Sequence, residues 1–132
     1  MKELDYEFVG WLNDGKSDKI WGLIELLAPT SVARIQTKGV YLVFWGRRGK
    51  KYQTQFIRSH SRYHYLHSYN SLTYLKIQEK LSKGYKEVGK QMLSDIYPDF
   101  EKDLSSIAFW TMMTKSSEIN PEEWQKIKEK IF

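Results

Sequence analysis

Residues 40–57 read Val40-Tyr41-Leu42-Val43-Phe44-Trp45-Gly46-Arg47-Arg48-Gly49-Lys50-Lys51-Tyr52-Gln53-Thr54-Gln55-Phe56-Ile57. The residues before the first glycine are mostly aromatic or β-branched, which is typical of a β-strand. The two glycines then allow a turn. Beyond it the side chains from Tyr52 onward alternate, with Gln53 and Gln55 on the polar face, as in a second strand. This stretch therefore predicts a β-hairpin with a cationic turn.

Segments before this hairpin predict two more strands. Residues 4–8 alternate apolar and acidic side chains, which indicates a half-buried strand, and residues 13–15, Asn-Asp-Gly, are a strong turn signal. Residues 19–27 are apolar on both faces, as in a central strand, and end before Pro29. Residues 30–39 predict a loop or a ragged strand edge.

A helix is predicted after the hairpin. It begins at Asn70 or Ser71 and runs to about Lys83, because apolar and charged side chains in this segment fall on opposite sides of a helix. Gly84 is placed to end it. Residues 85–88 predict a short last strand.

Two further helices are predicted in the last third of the chain. The first carries apolar residues at helical spacing: Phe100, Leu104, Ile107 and Ala108. The second begins with Asn120 as the N-cap and Pro121 in the first turn. Its Trp124 packs either on the sheet of the same chain or on a partner subunit, and we expect the sheet.

Together these elements predict an α+β fold in which an antiparallel β-sheet has a helix packed on one face. Residues 1–88 are expected to form this domain, and residues 89–132 a C-terminal helical extension packed on it. The chain has 132 residues, of which 41% are hydrophobic. This length and composition suit one hydrophobic core.

Composition also excludes several classes of protein. The chain has no cysteine, which excludes a disulfide framework and a thiolate zinc site. Its first residues include acids where a secretory signal needs an apolar run, and no stretch reaches the roughly 18 apolar residues of a membrane span. We therefore expect a soluble intracellular protein with no membrane partner.

Charge is distributed unevenly along the chain, because no Asp or Glu occurs between Glu25 and Glu79. The cations in this gap are Arg34, Lys38, Arg47, Arg48, Lys50, Lys51, Arg58, Arg62 and Lys76. A basic surface without acids nearby in sequence is typical of a polyanion-binding face.

The turn of the central hairpin is the predicted contact with nucleic acid, and DNA is expected in preference to RNA. Cations on a projecting turn suit the phosphates of a backbone, and an aromatic ring beside them can stack on an exposed base or sugar. The candidate contact residues are Trp45, Arg47, Arg48, Lys50, Lys51, Gln53, Gln55, Arg58 and Arg62.

Each candidate also has a structural alternative. The alternatives are a core position for Trp45, a pairing of Arg47 with a distant carboxylate or carbonyl, and an ordinary strand-surface role for the two glutamines. His60, His64 and His67 would share one face of a helix, but no nearby cysteine or acid would complete a metal site. Recognisable enzyme motifs are absent, so we expect neither catalysis nor a cofactor.

Trp45-Gly46-Arg47-x-Gly49-x-x-x-Gln53 at the end of an aromatic strand resembles the signature of the WGR domain. Two flanking segments strengthen the resemblance, which covers roughly residues 1–88. Residues 19–21, Lys-Ile-Trp, look like the family's earlier aromatic strand, and residues 70–85 look like its helix ending in Gly-Tyr.

The resemblance implies a compact module, found in poly(ADP-ribose) polymerases and in bacterial proteins, that binds nucleic acid. In the polymerases the tryptophan and arginine of the motif meet the end of a broken DNA strand and communicate with neighbouring domains, roles that would fall here on Trp45 and Arg47. Two features depart from the family: Tyr52 replaces a second glycine, and residues 59–69 make a long connection. The alternative function is an adaptor that docks a partner protein domain through Trp45, Arg47 and the C-terminal helices.

Overall fold

A five-stranded antiparallel sheet organises the chain, of which the computed structural model describes residues 5–32, 35–62 and 71–131. The strands are β1 (Asp5–Asn13), β2 (Asp18–Leu27), β3 (Thr30–Val32), β4 (Ile35–Thr37), β5 (Gly39–Arg47), β6 (Gln53–Ser59) and β7 (Lys86–Glu87). The order of the strands in the large sheet is β6-β5-β2-β1-β7. The helices are α1 (Leu72–Ser82), α2 (Lys90–Ile96), α3 (Phe100–Lys115) and α4 (Pro121–Ile131), with a short 3₁₀ turn at Ser116–Glu118. The predicted α+β class is confirmed.

Pairing of the strands follows the predicted hairpins. In the central hairpin, β5 pairs with β6 so that Trp45 lies opposite Gln53. The buried strand β2 lies between β1 and β5, and its residues are apolar on both faces because a buried cluster packs on each face of the sheet there. The predicted strand residue Leu4 and the alternative helix start at Asn70 lie outside the described residues.

Two short strands lie within residues 30–39, where the sequence predicts a loop or a ragged strand edge. Strands β3 and β4 pair with each other as a small separate two-stranded sheet, with Thr30 opposite Thr37. The short sheet gives this connection backbone hydrogen bonds that a loop would have to make to water.

Helices cover both faces of the large sheet. In the predicted domain of residues 1–88, a helix covers one face only. Helix α1 packs on the face of Tyr41 and Val43, here called the α1 face, where Ile77 completes a buried cluster. Helices α2, α3 and α4 pack on the opposite face, here called the α3 face, where Leu42 and Phe44 are buried. The C-terminal helices therefore share a core with the sheet.

Side chains of the last two helices occupy the positions that their spacing predicts. Phe100, Leu104 and Ala108 are buried against the α3 face. Trp124 is partly buried against the same cluster, so the sheet of the same chain covers it, as expected. Helix α2 was not identified from the sequence. Leu93 is its one buried residue, so the segment shows no repeated apolar spacing. No helix within the described residues is both long enough and apolar enough to cross a bilayer.

Candidate nucleic-acid interface

The turn between β5 and β6 is held in a fixed shape by its own backbone and one ring. Lys50 N–H donates to the Arg47 carbonyl at 3.0 Å. Gly49 has a φ of 77°, a left-handed conformation that favours glycine, and its N–H donates to the Tyr52 hydroxyl at 2.9 Å. Tyr52, which departs from the WGR pattern, thus supports the turn. The side chains of Arg47 and Lys50 project from a defined base.

The turn between β1 and β2 lies beside it at the same end of the sheet. The Asp14 carboxylate accepts from the N–H groups of Lys16 at 3.0 Å and Ser17 at 2.7 Å, and Gly15 has a φ of 85°. These backbone hydrogen bonds lower the pKa of Asp14. Strand register then places Lys19 directly opposite Arg47. Two cationic turns therefore meet although they are distant in sequence.

A cleft of about 360 Å³ opens between these two turns, and we call it the tip cleft. It is lined by Lys16, Ser17, Asp18, Lys19, Arg47, Arg48 and Lys50. Five of these side chains are cations and only one, Asp18, is an acid. The cleft is therefore electropositive, a potential that attracts anions.

The single acid of the cleft is already paired with one of its cations. Arg48 donates to Asp18 through Nε at 3.0 Å and through an Nη at 2.6 Å. The indole of Trp11 donates to the same carboxylate at 2.7 Å and lies 5.6 Å below the guanidinium, while Arg48 also donates to the Ile96 carbonyl. Arg48, a predicted contact with nucleic acid, lines the tip cleft and also joins the tip to helix α2 through these hydrogen bonds.

Replacing Asp18 with asparagine should change how the free energy of unfolding depends on pH in acid. The Arg48 guanidinium holds the pKa of Asp18 below its ordinary value of 3.8. The stabilisation is therefore complete above that value and disappears as the pH falls through the lower folded-state pKa. Because the pair is partly exposed, its loss should cost less than about 1 kcal/mol. Urea unfolding of Asp18→Asn at pH 7 and pH 2 should show a destabilisation that is larger at pH 7 than at pH 2; equal destabilisation at both would contradict this.

The remaining cations of the tip have no such partner. Arg47, Lys19, Lys16, Lys50 and Lys51 are all exposed, and none of them makes a salt bridge to another described residue. Lys16 and Lys19 were missed by the sequence analysis because acids flank them in the sequence. Only the pairing of strands reveals that Arg48 neutralises Asp18 and that Lys16 and Lys19 make no salt bridge to another described residue, although the charge of Asp14 acts on Lys19.

Trp45 borders this cationic region on the α1 face. It lies opposite Trp21 of the adjacent strand β2 and is half-buried against the cluster of that face. The indole is therefore neither fully buried in the core nor fully exposed. Gln53 lies opposite Trp45, and both Gln53 and Gln55 are exposed. The predicted residues Trp45, Arg47, Gln53 and Gln55 therefore share one face.

A lysine from helix α1 extends the positive region on this face. The ammonium of Lys80 lies 5.8 Å from the centre of the Trp21 ring. Desolvation, followed by repulsion from Lys83, lowers the pKa of Lys80, although Glu79 partly offsets these effects. Lys80 was not among the predicted site residues.

Arg58 and Arg62, two predicted contacts, are placed elsewhere. Arg58 is paired with Glu123 of α4, at the end of the sheet away from the tip. Arg62 donates to Glu87 at 2.8 Å and stacks over Phe8 at 5.6 Å. Both guanidiniums therefore have structural partners far away in sequence, and they do not join the tip cleft. The connection at residues 63–70 and Arg34 lie outside the described residues.

Metal binding finds no support in the part of the chain that the structure describes. Within it, no group of three or more His, Asp or Glu side chains is arranged to hold a metal ion. Of the three histidines, His60 is described, whereas His64 and His67 lie outside the described residues.

The tip cleft and the half-buried indole beside it are the features from which a ligand must be inferred. The WGR resemblance stays a prediction that depends on residues 45–53 and their flanking segments. Comparison with protein-family models, with curated proteins and with solved structures finds no match for the chain.

Proposed function

We propose that this protein is a non-enzymatic nucleic-acid-binding module, for DNA in preference to RNA, which binds through the tip cleft and Trp45. The observation that carries the proposal is the convergence of five cations from two separate turns on one cleft whose single acid is already paired. Such a cluster is costly in the free protein because like charges repel. A polyanion would relieve that repulsion.

The chemistry of the tip suits a phosphate backbone. Arg47 presents a planar guanidinium that can contact a phosphate with two hydrogen bonds, while Lys19 and Lys50 act as point charges on flexible stems. Neighbouring strands stand about 4.8 Å apart, so the side chains of Lys19 and Arg47 can reach phosphates that are adjacent along a strand. Backbone contacts of this kind give affinity without sequence preference.

Trp45 favours an end or a break over an intact duplex. Its indole is half-buried, so one part is held by the core while another part stays accessible beside Arg47. A fixed aromatic face can stack on an exposed base, and a continuous duplex offers no such base. The roles that the WGR resemblance implies for Trp45 and Arg47 agree with this arrangement.

Salt dependence of binding tests the proposal directly. If four or five of the unpaired cations contact phosphates, the slope of log K against log salt should be about −4, because each phosphate contributes about −0.9 for duplex DNA. Fluorescence anisotropy with a labelled duplex of about 20 base pairs should show this slope from about 20 to 200 mM NaCl. Undetectable binding at the lowest salt, or a slope near zero, would exclude the proposed function.

An adaptor function is the second candidate, and one observation favours it. Helix α3 exposes three large apolar side chains, Phe109 by 40%, Trp110 by 65% and Met113 by 64%. Exposed apolar clusters often mark protein contacts. Light scattering on the purified chain tests whether the partner is a second copy of the chain. A dimer formed through α3 would dissociate when Met113 is replaced by glutamate.

A further inference from the structure

A second and larger cleft lies next to the tip cleft, on the α3 face of the sheet. It has a volume of about 660 Å³ and runs between the β5–β6 turn and helix α3. The charged, aromatic and hydroxyl side chains that line it include Lys50, Lys51, Tyr52, Asp103, Trp110 and Thr114. This volume lies in the range of sites that enclose small organic ligands. We call it the α3 cleft.

The wall of the α3 cleft is aromatic. Trp110 lines it and is 65% exposed, although tryptophan is usually highly buried. Its ring meets the ring of Phe109 edge to face, with centroids 5.7 Å apart. Tyr52, on the opposite side, is fixed by its hydrogen bond to Gly49 and by its edge contact with Phe44. An accessible indole in a cleft offers a stacking surface for a planar ring.

The rim of the α3 cleft is cationic. Lys50 and Lys51 are exposed and make no salt bridge to any residue in the described ranges. The acid of this cleft, Asp103, accepts a hydrogen bond from the Tyr97 hydroxyl, and its remaining acceptor capacity suits an amino group of a base. An aromatic wall, a cationic rim and an acceptor together match the ring of a base, a phosphate and an amino group of the base.

Lys50 connects the two clefts, because it lines both of them. A strand whose backbone lies along the tip cleft can therefore pass Lys50 and enter the α3 cleft without leaving the cationic surface. We propose that the α3 cleft receives an unpaired nucleotide at the end of a nucleic-acid strand, with its base stacked on Trp110 and its phosphate at Lys50 and Lys51. This inference rests on the proposed function, to which it adds the kind of DNA end that is bound.

Binding of blunt and overhanging duplexes tests the inference. Three labelled duplexes of equal length would be compared by anisotropy: one blunt, one with a single-stranded 5′ extension of about four nucleotides and one with the same extension at the 3′ end. One stacked base should make one of the extended duplexes bind about tenfold more tightly than the blunt one. Trp110→Ala should remove this preference, so that the extended duplex binds no more tightly than the blunt one.

Met113→Ala is the matched control, because Met113 is 64% exposed on the same helix and does not line the cleft. It should keep the preference, and circular dichroism should show both variants folded. Equal binding of all three duplexes by the native chain, or an unchanged preference in Trp110→Ala, would overturn the inference. Dissociation of an oligomer by Trp110→Ala with the preference intact would overturn it too and support a protein contact. Undetectable binding of every duplex would instead refute the proposed function itself.

Discussion

Reversing the charge of Lys19 and Arg47 together should weaken DNA binding by at least about 100-fold. The two residues are direct partners on adjacent strands, both are exposed, and neither is engaged in a salt bridge with a described residue. A hydrogen bond to a charged group contributes about 1.5 kcal/mol or more, so loss of two contacts gives about 3 kcal/mol, or about 150-fold. The Lys19→Glu/Arg47→Glu variant, measured by anisotropy at about 50 mM NaCl, should also show a flatter salt dependence, because fewer counterions are released.

The matched control places the same change of net charge at the other end of the sheet. Lys38 precedes β5 and Lys126 lies on α4; both are exposed. Lys38→Glu/Lys126→Glu should retain most of the affinity of the native chain, since net charge alone acts weakly at this ionic strength. Equal losses in the two double variants would mean that total charge, and not the tip cleft, determines binding. The four residues are exposed, so thermal unfolding should change little in either variant.

Strand pairing and the central hairpin were predictable because their signals are local. An aromatic strand, two glycines and an alternating strand follow one another within residues 40–57, and the structure pairs them as expected. The register also places Lys19 beside Arg47. That proximity could be inferred only by assuming that β2 pairs with β5 in one particular register, because a shift of one residue would turn Lys19 to the other face.

Partners of the arginines could not be predicted, because they come from far away in sequence. Arg48 and Asp18 are 30 positions apart, and Arg58 and Glu123 are 65 apart. The stretch without acids between Glu25 and Glu79 therefore indicated more free positive charge than the folded chain has. Salt bridges to distant acids neutralise Arg48, Arg58 and Arg62. The other cations of the tip make no salt bridge to a described residue. The α3 cleft could not be predicted either, because it forms between the β5–β6 turn and helix α3, which are distant in sequence.

Phe44→Ala should destabilise the whole chain by about 3–5 kcal/mol, which is the usual cost of removing a large buried side chain. Phe44 is fully buried on the α3 face. Its ring lies across Gly22, where an added Cβ would meet it at 2.2 Å, and it contacts Tyr52 at 5.5 Å and Phe100 at 6.2 Å between ring centroids. One side chain thus joins the central strands, the β5–β6 turn and the first residue of α3.

Because Phe44 links the sheet to the C-terminal helices, the two parts should unfold together. Urea unfolding followed by far-ultraviolet circular dichroism and by tryptophan fluorescence should give coincident transitions in the native chain and in Phe44→Ala, with the variant's midpoint shifted to lower urea. Phe109→Ala is the matched control, since Phe109 is 40% exposed and its truncation should cost far less. Separate transitions for the two probes would show that residues 89–132 unfold independently of the sheet. In that case the α3 cleft would lose one wall whenever the extension opened, and the preference for overhanging ends would decline in urea before duplex binding did.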